Sequence, residues 1–287
     1  MIKWKTIVTS FKATEVLNED YSSGLENWLS EDVADQFLMS ISILREPPSI
    51  EFLTRLIRAC YAQIPFQNLT MLTRPRVAPS REEIVSDMLS KTGGLCTTNN
   101  PFFCALLHQL GFNVGLISAS MKEPDCHIGL IVGFYDDLYW VDLGNGFPYL
   151  TPLLITQGSQ ASHVGFNYEL TLNGSTVSVN QTILGTNNKK RNQSFIIKAV
   201  HYSYFNTMRI RHYQEENYGH FLKSIRINCW TLNQGFVLRD NIIWALPGKA
   251  RKANSIEIIS WIEESFRVDR ILSRYRKSVE VLNDSEN

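Results

Sequence analysis

The chain has 287 residues, of which 44% are apolar and 20% charged, a composition typical of folded globular proteins and not of disordered ones. Its 28 basic and 28 acidic residues give a formal net charge of zero, which argues against broad electrostatic binding to nucleic acid. It has no apolar run long enough to span a membrane, and its 5 cysteines include no C-x-x-C pair, so free thiols in a reducing cytoplasm are predicted.

The N-terminal third has the periodicity of amphipathic helices. A first helix is predicted over 25–43, where apolar residues recur every three or four positions. Ser49 is the predicted N-cap of a second helix, and Ser80 opens a third with a capping-box pattern. A fourth helix is predicted to begin near Cys96 and to end before Gly111, because glycine is common just past a helix C-terminus.

After Gly111 the pattern changes to short runs of β-branched and aromatic residues, which predict strands. The predicted strands cover 114–118, 127–134, 138–143, 166–172, 176–182, 195–200 and 235–246, and a last helix covers 256–266. Asp136-Asp137 and Asn173-Gly174 are typical of hairpin turns. Helices followed by strands and a mixed C-terminal part predict an α+β fold and not an alternating βαβ one.

Three residues in the middle of the chain form a candidate nucleophilic site. Cys96 follows a Gly-Gly turn at the start of a predicted helix, where the partial positive charge and free N–H groups favour a thiolate. His127 begins one predicted strand and Asp142 lies on the next, so the two can face each other across a hairpin. Each residue alone is more often structural, but together they supply a nucleophile, a base and a group that orients the base.

The remaining histidines offer no metal-ligand spacing, so no metal site is predicted. His212 and His220 lie in a polar segment and are expected on the surface. No glycine-rich phosphate-binding motif opens a helix.

Four short stretches resemble the arylamine N-acetyltransferase family. They are Ile64-Pro65-Phe66-Gln67-Asn68-Leu69, similar to I-P-F-E-N-L; Gly93-Gly94-Leu95-Cys96 with Asn100, similar to R-G-G-x-C-x-E-x-N; His127-Ile128-Gly129-Leu130, similar to the histidine strand of the family; and Val141-Asp142-Leu143-Gly144-Asn145-Gly146, similar to V-D-x-G-F-G. Their order and spacing agree with the family over about residues 49–155, and a weaker likeness continues to Trp244. Each motif alone is weak evidence, whereas four in the same order are specific.

The resemblance implies an N-terminal helical bundle, a central β-barrel and a C-terminal α/β lid around a cysteine-proteinase-like core. This agrees with the α+β order predicted from periodicity. The chain would divide into an N-terminal extension over 1–24, a helical bundle with the nucleophile over 25–111, a β-barrel over 112–205 and a lid over 206–287.

The resemblance also implies a ping-pong N-acyltransferase. The Cys96 thiolate would take an acyl group from a thioester, either acetyl-CoA or a chain on an acyl carrier protein, and pass it to a small-molecule amine. His127 and Asp142 would support the thiolate–imidazolium pair. Substrate contacts are expected at Phe66, Gly129, Asn145 and Phe147. No metal cofactor, nucleic acid or membrane partner is expected.

Three positions depart from the family pattern. Thr92 and Thr98 replace the arginine and the acidic residue of the segment around the cysteine. Because losing both members of a charged pair strands no charge, this change is interpreted as joint repacking and not as loss of activity. Asn145 replaces the phenylalanine that shapes the acceptor pocket in the family, and a polar residue there predicts a different acceptor amine or acyl group.

Three alternatives stay open from the sequence. An amide synthase of natural-product biosynthesis would use the same site to join a carrier-bound acyl group to an amine. A transglutaminase-like thiol hydrolase has its cysteine, histidine and third polar residue in the same chain order and would release a free acid. A non-catalytic binding module would keep the fold, and its Cys96 would react with iodoacetamide no faster than Cys104 or Cys126.

Overall fold

The computed structural model describes residues 11–284 except 185, 187–188 and 267–268, so residues 1–10 of the predicted N-terminal extension lie outside the described part. The helices are α1 (Ala13–Val16), α2 (Glu31–Ser40), α3 (Ile50–Gln63), α4 (Leu69–Thr73), α5 (Arg81–Leu89), α6 (Cys96–Gln109), α7 (Asn206–Gln214), α8 (Ser255–Phe266) and α9 (Asp269–Asp284). The strands are β1 (Phe66–Gln67), β2 (Asn113–Ser120), β3 (His127–Phe134), β4 (Asp137–Val141), β5 (Leu153–Leu154), β6 (Gln160–His163), β7 (Phe166–Asn173), β8 (Thr176–Ile183), β9 (Lys189–Val200), β10 (Arg226–Trp230), β11 (Gly235–Arg239), β12 (Ile242–Leu246) and β13 (Arg251–Lys252). Within the described ranges, no helix has both the length and the apolar character needed to cross a membrane.

The larger sheet is antiparallel and forms a nearly closed barrel. Its strands follow the order β5-β4-β3-β2-β9-β8-β7-β6, and their buried apolar side chains share one core with the helices that precede them. The predicted α+β fold with a central barrel is therefore confirmed. The turn between β3 and β4 lies one residue earlier than predicted, because Phe134 pairs with Asp137 and Tyr135 takes a left-handed φ of 52°.

The smaller sheet joins the helical part of the chain to the C-terminal part. Its strand order is β1-β10-β11-β12-β13, and Phe66 of β1 also bridges Gly94 just before α6. The single strand predicted over 235–246 is wrong, because Asp240 takes a left-handed φ of 54° and reverses the chain between β11 and β12. Helices α8 and α9 pack on this sheet around a separate apolar cluster.

The helix signals were accurate where a capping side chain fixed the start. Ser49 and Ser80 cap α3 and α5 as predicted, and Ser80 forms the complete capping box. The helix predicted over 25–43 is wrong in extent, because the Ser30 hydroxyl accepts a backbone N–H of the first turn and starts α2 there. Leu25 lies in an irregular segment before α2 and is buried there. Its spacing from the next apolar residues therefore reflects packing and not helical periodicity.

The described part of the N-terminal extension packs against the barrel. Leu17 and Ala13 lie over Gly115 and Gly133 of neighbouring strands, and a Cβ added at Gly133 would lie 2.9 Å from the Cβ of Ala13. The hydroxyl of Tyr21 bonds the backbone of β2 at 2.9 Å and that of β9 at 3.2 Å. This segment, here called the N-terminal layer, packs directly on the barrel because glycines at two strand positions leave room for its side chains.

Candidate active site

Cys96 is the first residue of α6, at the point where the helix N-terminus meets both sheets. Gly94, two residues before Cys96, has no room for a side chain, since an added Cβ would lie 2.6 Å from the Cβ of Thr98. On the other side, a Cβ added at Gly144 would lie 2.7 Å from the Cβ of Cys96. These close approaches fix the cysteine, which is 4% exposed, beside the free N–H groups and the positive end of the helix dipole.

His127 begins β3 and lies between Cys96 and Asp142. Its Nε2 is 2.8 Å from Asp142 Oδ2, and the same ring hydrogen-bonds Cys96, which leaves Nδ1 for the sulfur. Burial by itself lowers the pKa of His127, but the charges of Asp142 and Cys96 and their hydrogen bonds outweigh it, so the pKa lies well above its ordinary value. The charged form of the imidazole is therefore favoured at its place between Asp142 and Cys96.

Asp142 follows β4 directly and is completely buried. Its Oδ1 accepts hydrogen bonds from Asn100 Nδ2 and from the Gly144 N–H, both at 2.9 Å, while Oδ2 faces His127. Asn100 is itself held, because its amide also donates to the backbone of β3 at 2.6 Å and accepts from the backbone just after Asp142 at 2.8 Å. These donors supply the hydrogen bonds that a buried carboxylate requires.

Tyr61 of α3 is a contact of the site that sequence analysis missed. Its hydroxyl is shared between the backbone carbonyl of Asp142 and that of Phe147, the latter at 3.0 Å. Burial raises the pKa of Tyr61 well above its usual range, so the hydroxyl is a permanent donor that fixes the loop after β4. A tyrosine on an apolar helix stripe carries no signal that distinguishes this role from core packing.

A second missed group contacts Asp142 Oδ2, the same carboxylate oxygen that faces His127. Gln193 of β9 is completely buried, with its Nε2 3.3 Å from Asp142 Oδ2 and 3.3 Å from the Tyr149 hydroxyl. Asn145, expected to contact substrate, is 7% exposed; its Nδ2 donates to Gln193 at 3.0 Å and its Oδ1 accepts from Asn192 at 3.3 Å. The Asn145 amide is thus engaged inside the barrel, and its contact with substrate stays a prediction.

The other predicted substrate contacts are Phe66, Phe147 and Gly129. Phe66 is 8% exposed and packs near Phe221, with ring centroids 6.3 Å apart, while Phe147 is half-buried. Gly129 faces the ring of Trp140, and an added Cβ would lie 2.6 Å from the Trp140 Cζ3. Packing accounts for this glycine, and substrate contact by the three residues stays a prediction.

Helix α7 and the loop after it cover the start of α6. The Tyr213 hydroxyl is 3.2 Å from Thr97 Oγ1, and His212 Nε2 donates to the carbonyl of Cys126 at 3.0 Å. The expectation that His212 lies on the surface is wrong, because this polar segment folds inward and leaves His212 3% exposed. Burial lowers its pKa to about 4, so the ring is neutral near pH 7. His220 is exposed, as expected.

The two threonines that depart from the family pattern are buried without charge. Thr92 Oγ1 is 3.0 Å from Ser90 Oγ. Arg74 and Asp87 form a bidentate ion pair with both contacts at 2.6 Å, and this pair and Thr98 line one small cavity. The interpretation as joint repacking without loss of activity stays a prediction.

The site as a whole places a thiol, an imidazolium and a carboxylate in sequence, next to backbone N–H groups of a helix N-terminus. Such an arrangement can form a covalent thioester with a carbonyl group. Among the described residues, no group of three or more His, Cys, Asp or Glu side chains could hold a metal ion.

The sequence comparisons agree with the motifs. A family model described as N-acetyltransferase matches residues 49–258, more than half of the chain. The arylamine N-acetyltransferase pineal gland isozyme of Gallus gallus is 31% identical over 116 residues, which are 36% of this chain and 39% of that protein. The chain thus spans less than half the length of the curated relatives it matches.

The structural comparisons show the same fold over nearly the whole chain. The arylamine N-acetyltransferase from Mycobacterium abscessus has a TM-score of 0.79 at 19% identity, covering 92% of this chain and 99% of that chain. The Mycobacterium marinum arylamine N-acetyltransferase in complex with CoA has a TM-score of 0.76 at 17% identity, covering 87% and 98%.

Proposed function

Because the chain belongs to the arylamine N-acetyltransferase family of acyltransferases, we propose that it transfers an acyl group from a thioester to an amine through an acyl-Cys96 intermediate. The observation that supports this most strongly is the contact of Cys96 with His127, whose Nε2 lies 2.8 Å from Asp142. A thiolate paired with an imidazolium is the reactive form of such a nucleophile.

In the first half-reaction, the Cys96 sulfur attacks the carbonyl carbon of the donor thioester. The new carbon–sulfur bond to Cys96 forms, the bond to the donor thiol breaks, and the imidazolium of His127 gives its proton to the leaving thiolate. N–H groups at the start of α6 are placed to stabilise the carbonyl oxygen as it becomes negative. One such donor typically contributes about 3 kcal/mol to lowering the barrier.

In the second half-reaction, the acceptor amine attacks the acyl-Cys96 carbonyl. The amide bond forms, the Cys96 thiolate leaves, and His127 takes the proton that the amine loses, which restores the starting ion pair. Asp142 keeps the imidazole ring oriented in both steps, through Nε2. The proton that leaves with the donor thiol is thus replaced by the proton that the amine loses.

We propose acetyl-CoA as the donor and an arylamine or a related small amine as the acceptor. The family supports this choice, and so does the Mycobacterium marinum relative, whose structure holds CoA. A carrier-bound acyl donor, as in an amide synthase, stays an alternative. The cysteines of the chain are all unpaired, which supports a reducing compartment such as the cytoplasm.

The direct test is intact-protein mass spectrometry after incubation with acetyl-CoA. We expect one acetyl adduct on the wild-type chain, none on Cys96→Ala, and loss of the adduct when an arylamine is added. Cys126→Ser is the matched control, since Cys126 is a half-buried thiol close to His127, and it should label like the wild type.

An adduct that persists on Cys96→Ala would contradict the proposal. Loss of the wild-type adduct in buffer without any amine would favour the thiol hydrolase instead. Labelling only by a carrier-bound acyl chain would favour the amide synthase.

A further inference from the structure

The three polar side chains behind Asp142 form a directional chain, here called the amide chain: Asn192, Asn145 and Gln193. Asn192 Nδ2 donates to Asn145 Oδ1 at 3.3 Å, Asn145 Nδ2 donates to Gln193 Oε1 at 3.0 Å, and Gln193 Nε2 donates to Asp142 Oδ2 at 3.3 Å. The exposed fractions are 8%, 7% and 0%, so water does not compete for these bonds.

The direction of the amide chain is set by Asp142. A carboxylate only accepts hydrogen bonds, so the nitrogen of Gln193, and not its oxygen, must face Oδ2. The Gln193 oxygen then points away and needs a donor, which Asn145 supplies. With its nitrogen turned to Gln193, Asn145 directs its oxygen to Asn192 Nδ2, which donates to it. Each amide therefore has one orientation.

The amide chain completes the hold on the Asp142 carboxylate. Oδ1 is fixed from one side by Asn100 and the Gly144 N–H. Among the described residues, the hydrogen-bond partners of Oδ2 are His127 and Gln193. Without Gln193, the oxygen that orients the imidazole would be held by the imidazole alone.

We propose that Gln193 and Asn145 are positioning residues for the triad, so that residue 145 acts on Asp142 and not on the acceptor amine. This inference rests on the proposed role of Cys96. It also gives a reason for buried amides in a barrel interior, where an unpaired polar group is costly and apolar side chains would pack as well.

The test measures the reactivity of Cys96 without any acyl donor. The rate of iodoacetamide alkylation at Cys96, followed by peptide mass spectrometry across pH, reports how much thiolate is present. The tyrosines coupled to Asp142 or Cys96 are Tyr61, Tyr149, Tyr168, Tyr202, Tyr213 and Tyr218. Burial raises the pKa values of all these tyrosines, and it lowers that of His212, so none of these groups changes its charge near neutral pH. Within the assay range, the pH dependence of alkylation therefore reports on Cys96, His127 and Asp142.

Gln193→Leu keeps the size of the side chain and removes its donor. We expect the acid limb of the alkylation profile to move to higher pH. A carboxylate that is held less firmly stabilises the His127 imidazolium less, and a weaker imidazolium stabilises the Cys96 thiolate less. Near the midpoint the rate should fall about tenfold, the effect of losing one hydrogen bond to a charged group. Asn145→Ala should shift the limb in the same direction by less, since it only frees the Gln193 amide to rotate.

The matched control is Gln181→Leu. Gln181 is an equally buried glutamine on β8, the strand next to β9, and lies beside Tyr168. Its profile should match the wild type. If Gln193→Leu does not fold, as judged by circular dichroism and thermal melting, the Asn145→Ala profile decides.

An unchanged alkylation profile in the folded variants would overturn the inference. So would an Asn145→Ala variant that changes only the KM for the amine, because that is the behaviour of a residue in the acceptor pocket. The alkylation readout needs no acyl donor, so absence of an acetyl adduct would count against acetyl-CoA as the donor and leave this test intact.

Discussion

At the residue scale, the site depends on positions where side chains are absent. Gly144 lies so close to Cys96 that an added Cβ would also come within 2.8 Å of Asn100 Nδ2. Contacts below about 3 Å between a Cβ and backbone or buried atoms cannot be relieved by moving a flexible side chain. Glycine here is a requirement of packing against the nucleophile and not of backbone conformation.

We therefore expect Gly144→Ala to lower acylation of Cys96 by at least about tenfold and to destabilise the fold by about 1–3 kcal/mol, as overpacking does. Single-turnover acetylation and urea unfolding measure the two effects. Gly158→Ala is the control for a strained glycine substitution that meets no atom: nothing lies within 4 Å of an added Cβ there, but its φ of +76° is left-handed, so the variant should lose stability and keep normal acylation. Normal acylation in Gly144→Ala would show that the close approach does not matter to the chemistry.

The charge on His127 gives the stability a pH dependence. The net effect of its surroundings, with burial opposed by Asp142 and Cys96, raises the pKa in the folded state well above 6.5. Such a group stabilises the fold fully below its unfolded pKa, near 6.5, and loses that contribution as the pH rises through the folded value. We expect the difference in unfolding free energy between wild type and His127→Gln to be largest near pH 6 and to shrink as pH rises. Urea titrations at several pH values measure it; a difference that grows with pH would contradict the assignment.

At the element scale, three chain segments end at the same place. Helix α6 begins with Cys96, β3 begins with His127, and β4 ends just before Asp142. Such ends carry free backbone groups, and the regular elements behind them position their side chains without occupying the sheet interior. The N-terminal layer stabilises the barrel from its outer face, remote from these ends.

Leu17→Ala tests this layer. Leu17 is 6% exposed and lies over Gly115, so its truncation should cost about 2–5 kcal/mol by leaving a cavity. We expect the acylation rate at 25 °C to stay as in the wild type. Leu44→Ala is the control, because Leu44 is 83% exposed and its loss should change stability by no more than about 0.5 kcal/mol. A large loss of activity in folded Leu17→Ala would tie the layer to the site.

At the scale of the whole molecule, the helical part and the C-terminal sheet are joined through β1 and the residue after it. Asn68 is completely buried; its Nδ2 donates to the carbonyls of Phe221 and Ser224 at 2.5 and 2.6 Å, and its Oδ1 accepts from the Arg226 N–H at 2.8 Å. One side chain thus holds both the loop that covers α6 and the start of β10.

Asn68→Ala should loosen the C-terminal sheet selectively, because each backbone group left without a partner costs about 1–3 kcal/mol. Hydrogen exchange is expected to accelerate in β10 to β12 and to stay unchanged in β7 and β8. Asn217→Ala, at an exposed asparagine of the same region, should leave both unchanged. Hydrogen exchange that accelerates equally in the barrel strands would show that the two sheets unfold as one unit.

Sequence by itself determined what short-range physics controls. The caps at Ser49 and Ser80, the bounds of β3 and the start of α6 at Cys96 depend on interactions within a few residues, and all agree with the structure. Cys96 was predicted as the nucleophile from its place after two glycines at a helix start, taken together with His127 and Asp142.

Tertiary structure decided whatever depends on which distant segments meet. Gln193 reaches Asp142 across 51 positions of chain because β9 folds back into the barrel, and Asn145 turns inward because that glutamine is there to accept. His212 is buried because α7 closes over the start of α6. A polar side chain on a strand has the same local pattern whether it faces solvent or a buried carboxylate. The strand register of the barrel, which is set by the packing of its whole core, determines which of the two a given side chain faces.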